Sequence, residues 1–371
     1  MSSTTETSAA VIEVAKLAGA QATQTDAERR VSPELMREVV AAGFARWLVP
    51  TRWGGAEGSY AELTSAITRI GEECASTAWL ASLSAYSARY AVCLPEQAQA
   101  DIWSDTPDTL MVAVIKPLGT AVAVDGGFRL SGSWSYVSGV EFSDWALLTG
   151  PAPGPKSGGQ PMRLFAVPRQ DYTFEDTWNS LGMRGTGSHT LLLDDVFVPE
   201  HRVCLREDAM RGVVAGAARP PVPNVAVNGQ TFVAPVLGAA RGALAVATQL
   251  IAIAPTGPRA AAGQAYQVEL ARAAAEIDAA QLLLERAAAV LDGGAVTPEL
   301  VRRNRRDGAQ ALGMLVDATD RLTRIGGTRA QEDGHPLQRF WRDVHSVAGH
   351  AVMQFEPAAL EFVQGLTAGQ S

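Results

Sequence analysis

Cysteine is scarce in this sequence. Cys74, Cys93 and Cys204 stand far apart, are odd in number and include no Cys-x-x-Cys pair. That pattern excludes a disulfide framework and a thiolate zinc site. Lysine is as rare, at Lys16, Lys116 and Lys156 only, and the net charge is −8 with no Lys/Arg cluster. Nucleic acid and anionic membrane are therefore not expected partners. His345 and His350 are five apart, off the i, i+4 face a two-histidine metal site needs, so no metal is expected. No Gly-x-Gly-x-x-Gly follows a strand. GTGSHT, residues 185–190, carries only the first two glycines and lies between strands, which argues against a Rossmann nicotinamide site. A P-loop and a Gly-x-Ser-x-Gly nucleophile elbow are also missing. The N-terminus lacks a charged-then-apolar leader. The most apolar run, residues 242–254, is short for a membrane span and has Arg241 at its edge, so it reads as a buried bundle helix. The expected setting is the reducing cytoplasm.

What is present is apolar bulk and clear punctuation. Hydrophobic residues make up 47% of the 371 and charged residues 19%, which suits two or three domains around a large core. Ser32-Pro33-Glu34 predicts a helix start, and Ser59 with Glu62 predicts a capping box for a helix from Tyr60 to Cys74. Ser76 opens the next helix, and Pro95-Glu96 opens a shorter one ending near Trp103. From Leu110 to Val198 short Val-, Leu- and Phe-rich runs alternate with turn residues, and Asp125-Gly126-Gly127 marks a hairpin. This block predicts a small antiparallel β domain. Helical spacing then returns, with Leu270, Ala274, Ile277, Leu284 and Ala288 on one face. Thr297-Pro298-Glu299 caps another helix to about Ile325, and a last one runs from Pro336 to about Phe355. The fold class is α+β, mostly α: an N-terminal helical domain over 1–108, a middle antiparallel β domain over 109–222, and a C-terminal four-helix bundle over 223–371.

Over nearly its whole length the chain resembles the acyl-CoA dehydrogenase fold. The resemblance rests on LGMRGTGSHTLLLDDVFVPEHR (181–202) and on RIGGTRAQEDGHPLQRFWRDVHSVAGHAV (324–352). The acyl-CoA dehydrogenases carry a catalytic glutamate just after the Arg-Asp of the last helix, whereas VHSVAGHAV (344–352) has no carboxylate. Their acidic Gly-rich stretch before the hairpin is replaced by VIKPLGTAVAVDGG. PLGTAVAVDGGFRLSGSWSYVSG, and a histidine seven residues after Trp-Arg-Asp, resemble instead the two-component flavin-dependent monooxygenases (group D hydroxylases) of the same fold.

That resemblance implies reduced FMN or FAD, supplied by a separate reductase, and oxygenation of a small organic substrate by O2 through a C4a-hydroperoxyflavin. The substrate would be aromatic or polyketide-like, or carry a sulfur or nitrogen centre. It implies Ser138 and His350 as catalytic residues, Ser138 accepting from flavin N5–H and donating to the peroxide. Trp134 and Tyr136 would wall the flavin ring, and Thr328 and Arg329 after Gly326-Gly327 would hold its phosphate or ring edge. Many relatives place a histidine on the segment WLASLSAYSARYAVCLP; here Tyr86 falls near that place as a substrate contact, with Tyr90 one turn on beside the flavin. Gln264 matches a bundle glutamine, and Arg259 is the nearest substitute for an upstream arginine. A homotetramer is implied. The alternatives are an acyl-CoA dehydrogenase-like oxidoreductase using Glu269, Glu276 or Glu285, and a non-catalytic scaffold of the same fold.

Overall fold

Local capping at Ser32, Ser59 and Thr297 starts three helices where the sequence predicts. The helix expected to open at Ser76 begins instead at Ala75, with Cys74 as N-cap and no side-chain cap bond. In the computed structural model, which describes residues 2–153, 160–214, 222–252, 260–294 and 296–368, the chain opens with α1 (Ser2–Glu28) and α2 (Pro33–Ala41). Ser32 Oγ accepts from Leu35 N at 3.1 Å at the start of α2. Ser59 Oγ accepts from the amides of Ala61 and Glu62 and opens α3 (Tyr60–Gly71). Next come α4 (Ala75–Ala91) and α5 (Glu96–Trp103).

Among the described residues eight strands follow: β1 (Met111–Val114), β2 (Gly119–Val124), β3 (Gly127–Val137), β4 (Trp145–Pro151), β5 (Met162–Pro168), β6 (Thr173–Glu175), β7 (His189–Pro199) and β8 (Val203–Leu205). They form two four-stranded sheets, ordered β1-β4-β5-β8 and β2-β3-β7-β6. The β2–β3 hairpin turns at Gly126, whose φ of +76° only glycine adopts freely. One expectation is corrected: the block is not purely antiparallel, because β1 pairs parallel to β4 with Met111 opposite Trp145. The long connection between β1 and β4 permits this, since it contains the whole hairpin.

A short α6 (Arg206–Arg211) leads to α7 (Ala234–Ala252), α8 (Ala260–Asp292), α9 (Pro298–Gly326), α10 (Pro336–Ala348) and α11 (Phe355–Thr367). A second expectation is corrected here. The helix from Pro336 stops at Ala348, with Gly349 as its C-cap, and a new helix begins at Phe355. His350 therefore heads a 3-10 turn, Ala351–Met353, rather than riding on a helix.

One core joins the N-terminal helices to the bundle. Leu35, Phe44, Leu237, Leu284, Leu315 and Leu337 belong to a single buried cluster. A second cluster, with Leu130, Trp134, Leu148, Phe165 and Leu191, fills the space between the sheets. A third, with Ala88, Trp103, Met111, Leu147 and Leu164, seats the β1-β4-β5-β8 sheet against α4 and α5. The apolar run of α7 crosses α3 so closely that glycines meet. A Cβ on Gly238 would lie 2.2 Å from Thr68 O and 2.6 Å from the Gly71 backbone. Gly238→Ala is expected to lower unfolding free energy by about 2–3 kcal/mol through this backbone overlap. A urea midpoint equal to that of the wild type would disprove the crossing.

Candidate active site

The loop between β6 and β7 is gripped on both sides. From the end of α1, Arg29 donates to Trp178 O at 2.8 Å and to Ser180 O at 3.3 Å. Val31 N donates to Gly185 O at 3.1 Å. From α10, Arg342 Nη1 donates to Leu181 O at 2.7 Å while its guanidinium pairs with Asp26 at 2.8 Å. Asp343 Oδ1 accepts from Met183 N at 2.5 Å, and Ser346 Oγ accepts from Gly182 N at 3.0 Å. Met183 sits at φ +53°, a conformation this clamp sustains.

The gripped loop presents polar groups to the end of β3. Ser188 Oγ lies 2.7 Å from Ser138 Oγ and 2.6 Å from Thr186 Oγ1, and Thr186 Oγ1 donates to Met183 O at 2.9 Å. Gly139 N donates to Thr186 O at 2.9 Å. From α4, Trp79 Nε1 donates to Ser138 Oγ at 3.1 Å. The Trp79 ring also faces Phe232 at 5.4 Å and His350 at 6.1 Å between centroids, and Phe232 stacks on His350 at 4.4 Å and 27°. Phe232 is aimed there by a π-helical turn, Gly229–Val233, ahead of α7. Ser138 and His350 thus converge on one tryptophan from the β domain and the bundle.

Burial without a charged partner lowers the His350 pKa below the ordinary imidazole value. Its Nδ1 accepts from Val352 N at 3.4 Å. The neutral ring that fits both facts carries its proton on Nε2, which makes Nε2–H a donor.

The other expected residues divide. Tyr136 is 75% exposed, with φ +66°, and stands edge-on to Trp178 at 6.2 Å. Trp134 is corrected: at 0% exposure it lies in the sandwich core, its Nε1 donating to Thr149 O at 3.0 Å, so it cannot wall a cofactor. The β3–β7 register shifts between Trp134 and Val137, which breaks the alternation that would have kept Trp134 and Tyr136 on one face. Tyr86 is also corrected. Only 3% exposed, it stacks against Tyr60 at 6.3 Å rather than joining the Trp79 group, and burial drives its pKa up. Tyr90 packs against the buried cluster that includes Val49, Ala91 and Trp103, with its pKa pushed up to about 12 by burial. Thr328 and Arg329 stand exposed on the 3-10 turn Gly327–Gln331, with no hydrogen bond or ion pair to Ser138 or His350. Gln264 is exposed near the start of α8, and Arg259 lies outside the described residues. Trp79, Phe232, Trp178, Thr186 and Ser188 were not singled out from sequence. Thr186 and Ser188 lay in the GTGSHT motif, and Trp79 opens the segment WLASLSAYSARYAVCLP; Phe232 and Trp178 had no such signal.

The bundle carboxylates are spoken for. Arg321 pairs with Glu269 at 2.7 Å and Glu276 at 3.1 Å. Glu285 accepts from Gln281 at 2.7 Å.

This arrangement of helices, two sheets and bundle is the acyl-CoA dehydrogenase fold. Residues 5–99 match the acyl-CoA dehydrogenase N-terminal domain and residues 230–355 the acyl-CoA dehydrogenase C-terminal domain. The oxygenase subunit HsaA of a flavin-dependent monooxygenase from Rhodococcus jostii (strain RHA1) is 34% identical over 362 residues, covering 93% of this chain and 94% of that one. The oxygenase component of FADH(2)-dependent resorcinol hydroxylase from Rhizobium sp. (strain MTP-10005) is 35% identical over 371 residues, covering 93% and 90%. Among solved structures, XiaF from Streptomyces sp., in complex with FADH2 and glycerol, superposes with a TM-score of 0.91 at 29% identity, covering 99% of this chain and 97% of that one. The chain belongs to the flavin-dependent monooxygenases built on the acyl-CoA dehydrogenase fold.

Asp343 gives the loop clamp a measurable signature. Desolvation raises its pKa to about 6, against the opposing pull of the Met183 amide, Arg339 and Arg342. A carboxyl whose folded pKa exceeds its unfolded value of ~4 costs the native state its ionisation. Its contribution is therefore most favourable below pH ~4 and declines as pH rises to about 6, by about 3 kcal/mol in all. Denaturation curves across this window should show that slope in the wild type and its loss in Asp343→Asn. Parallel pH profiles for the two proteins would refute the assignment.

Proposed function

We propose that this protein is the oxygenase component of a two-component system, taking FADH2 from a separate reductase and adding one oxygen atom from O2 to a small phenolic substrate. The observation that carries this reading is the convergence of Ser138, Trp79, Phe232 and His350 from three parts of the chain. FAD is preferred to FMN because FADH2 is the flavin named for both the resorcinol hydroxylase and XiaF. The phenolic class follows the resorcinol of that same relative.

The residues present fit a flavin ring. Tyr136 offers an uncovered aromatic face beside Trp178, and Ser138 lies partly open at the end of the same strand. Bound reduced flavin would supply the two electrons that activate O2, from which the transferred oxygen atom comes. Ser138 then serves the N5–H edge as a hydrogen-bond acceptor. Trp79 and Phe232 exclude water and hold the His350 ring. His350 offers Nε2–H to oxygen as a neutral imidazole. Exposed Thr328 and Arg329 are free to take phosphate oxygens. The dehydrogenase alternative is weakened by the pairing of Glu269 and Glu276 with Arg321.

The test is turnover with FADH2, a phenol panel and 18O2. One labelled atom per product is expected; unlabelled product, or none with any phenol, would overturn the reading. Protonating His350 Nδ1 would set it against the Val352 amide, so oxygenation should fall as pH drops below the ordinary imidazole value of ~6.5. His350→Asn should lose that acid limb and release more hydrogen peroxide per flavin oxidised. An unchanged limb would remove His350 from the chemistry.

We also infer a homotetramer in the cytoplasm. Val268 and Leu282 on α8, and Leu360, Val363 and Leu366 on α11, are each more than half exposed, an apolar surface suited to subunit packing. The three cysteines are free thiols. Light scattering should return about four times the 39.1 kDa chain mass; a monomer would contradict the tetramer.

A further inference from the structure

The hydroxyl network behind Ser138 has a direction, and proton counting fixes it. Met183 O can only accept, and it gathers Trp178 Nε1 at 3.0 Å, Thr186 N at 3.1 Å and Thr186 Oγ1 at 2.9 Å. A hydroxyl has one proton. Thr186 spends its own on Met183 O, because turning it away would set two buried oxygen acceptors against each other at 2.9 Å. Thr186 Oγ1 must therefore accept from Ser188 across 2.6 Å. Ser188, its proton spent, must accept from Ser138 across 2.7 Å. Ser138 also receives the Trp79 indole N–H at 3.1 Å. It has no proton left to give, and one lone pair remains.

We propose that the relay Ser138–Ser188–Thr186–Met183 O locks Ser138 as an acceptor and thereby makes the site select reduced over oxidised flavin, with Thr186 and Ser188 as the positioning residues. This rests on the reading that Ser138 meets flavin N5. Reduced flavin carries a proton on N5 and satisfies the free lone pair. Oxidised flavin presents a lone pair at N5 and meets another lone pair. The relay thus favours arrival of the reduced cofactor and departure of the oxidised one. It also withdraws Ser138 as a donor to flavin-borne oxygen, the second role that the family resemblance implied, and leaves that role to His350.

The test is the pair of dissociation constants for reduced and oxidised FAD, measured by anaerobic fluorescence titration. The wild type should bind the reduced form more tightly. In Ser188→Ala the Ser138 proton is released. Oxidised FAD should then bind about tenfold more tightly, the worth of one neutral hydrogen bond, while reduced FAD binds as before. Thr186→Val goes further. Ser188 then donates to Ser138 and fills its last lone pair, so the reduced form should weaken as the oxidised form tightens. Thr186→Ser keeps the relay and should keep the wild-type ratio. The two disruptive variants break the relay at different links, so either alone decides if the other fails to fold. Ser138→Ala is the control for the underlying reading and should collapse the preference. If Ser138→Ala does so while Ser188→Ala and Thr186→Val keep the wild-type ratio, the relay is wrong and the site stands. If Ser138→Ala changes neither constant, Ser138 does not meet N5 and both ideas fall.

Discussion

Arg342 and Asp343, adjacent on α10, hold the loop before β7 from one side, while Arg29 and Val31 hold it from the other. Nearly every polar feature of the site hangs from that loop. Its Met183 carbonyl anchors Trp178 and Thr186, Thr186 positions Ser188, and Ser188 meets Ser138. The clamp is itself polar and buried, so its groups must be fully paired to be tolerated. Arg342 meets that demand by bridging Asp26 and a loop carbonyl together. Gly182 is part of the same device. A Cβ there would lie 2.1 Å from Arg342 O, so only glycine lets the loop lie this close to the helix.

The second wall of the site is built by interruption of regular structure. A continued helix after Ala348 would have swept His350 around the α10 axis; Gly349 ends it instead and hands His350 to a 3-10 turn. A π-helical turn before α7 adds one residue to the helical cycle and brings Phe232 onto the His350 ring. The β3 bulge does the same for Tyr136, at the cost of a left-handed tyrosine. The left-handed tyrosine costs of order 1–3 kcal/mol and persists where surrounding packing over-determines it. Each interruption re-aims a side chain: His350 and Phe232 onto each other beside Trp79, and Tyr136 against Trp178.

Legibility in the sequence follows this division. Capped helices, the hairpin at Gly126 and the bundle were readable because their signals are local: Ser32, Ser59, Pro95 and Thr297 act within one turn. The parallel β1–β4 pair was not readable, since no residue of β1 encodes which strand it will meet. Ser138 and His350, which the structure brings to one tryptophan, were picked out through motif resemblance. Trp134 was misplaced because strict alternation groups it with Tyr136 and Ser138, and nothing in the local sequence announces the bulge. Tyr86 was misplaced for a related reason. It shares a face of α4 with Trp79, two turns away, but the ring that covers it belongs to Tyr60 on another helix. Trp79 and Phe232 were not legible as site residues: each reads as ordinary core, and their meeting depends on α4 and the π turn being packed together. Ser82 Oγ, donating to Thr231 O at 2.7 Å, is the hydrogen bond that joins them.

The clamp also ties the site to the closure of the whole chain. Asp26 and Arg342 are 316 residues apart, and the loop they steady lies between them in sequence. The loop that carries most of the relay comes from the β domain, and its grips come from the first and last parts of the fold. Contacts of such sequence separation form only after large loop-closure costs have been met. The buried Asp343 makes an isolated loop–α10 pairing still less favourable, as its desolvation is offset only once Met183 N, Arg339 and Arg342 surround it. The polarity of Ser138 is consequently a property of the completed fold. A chain that has closed presents an acceptor on β3 and a donor at His350 around one tryptophan. A chain that has not closed presents two ordinary side chains in water.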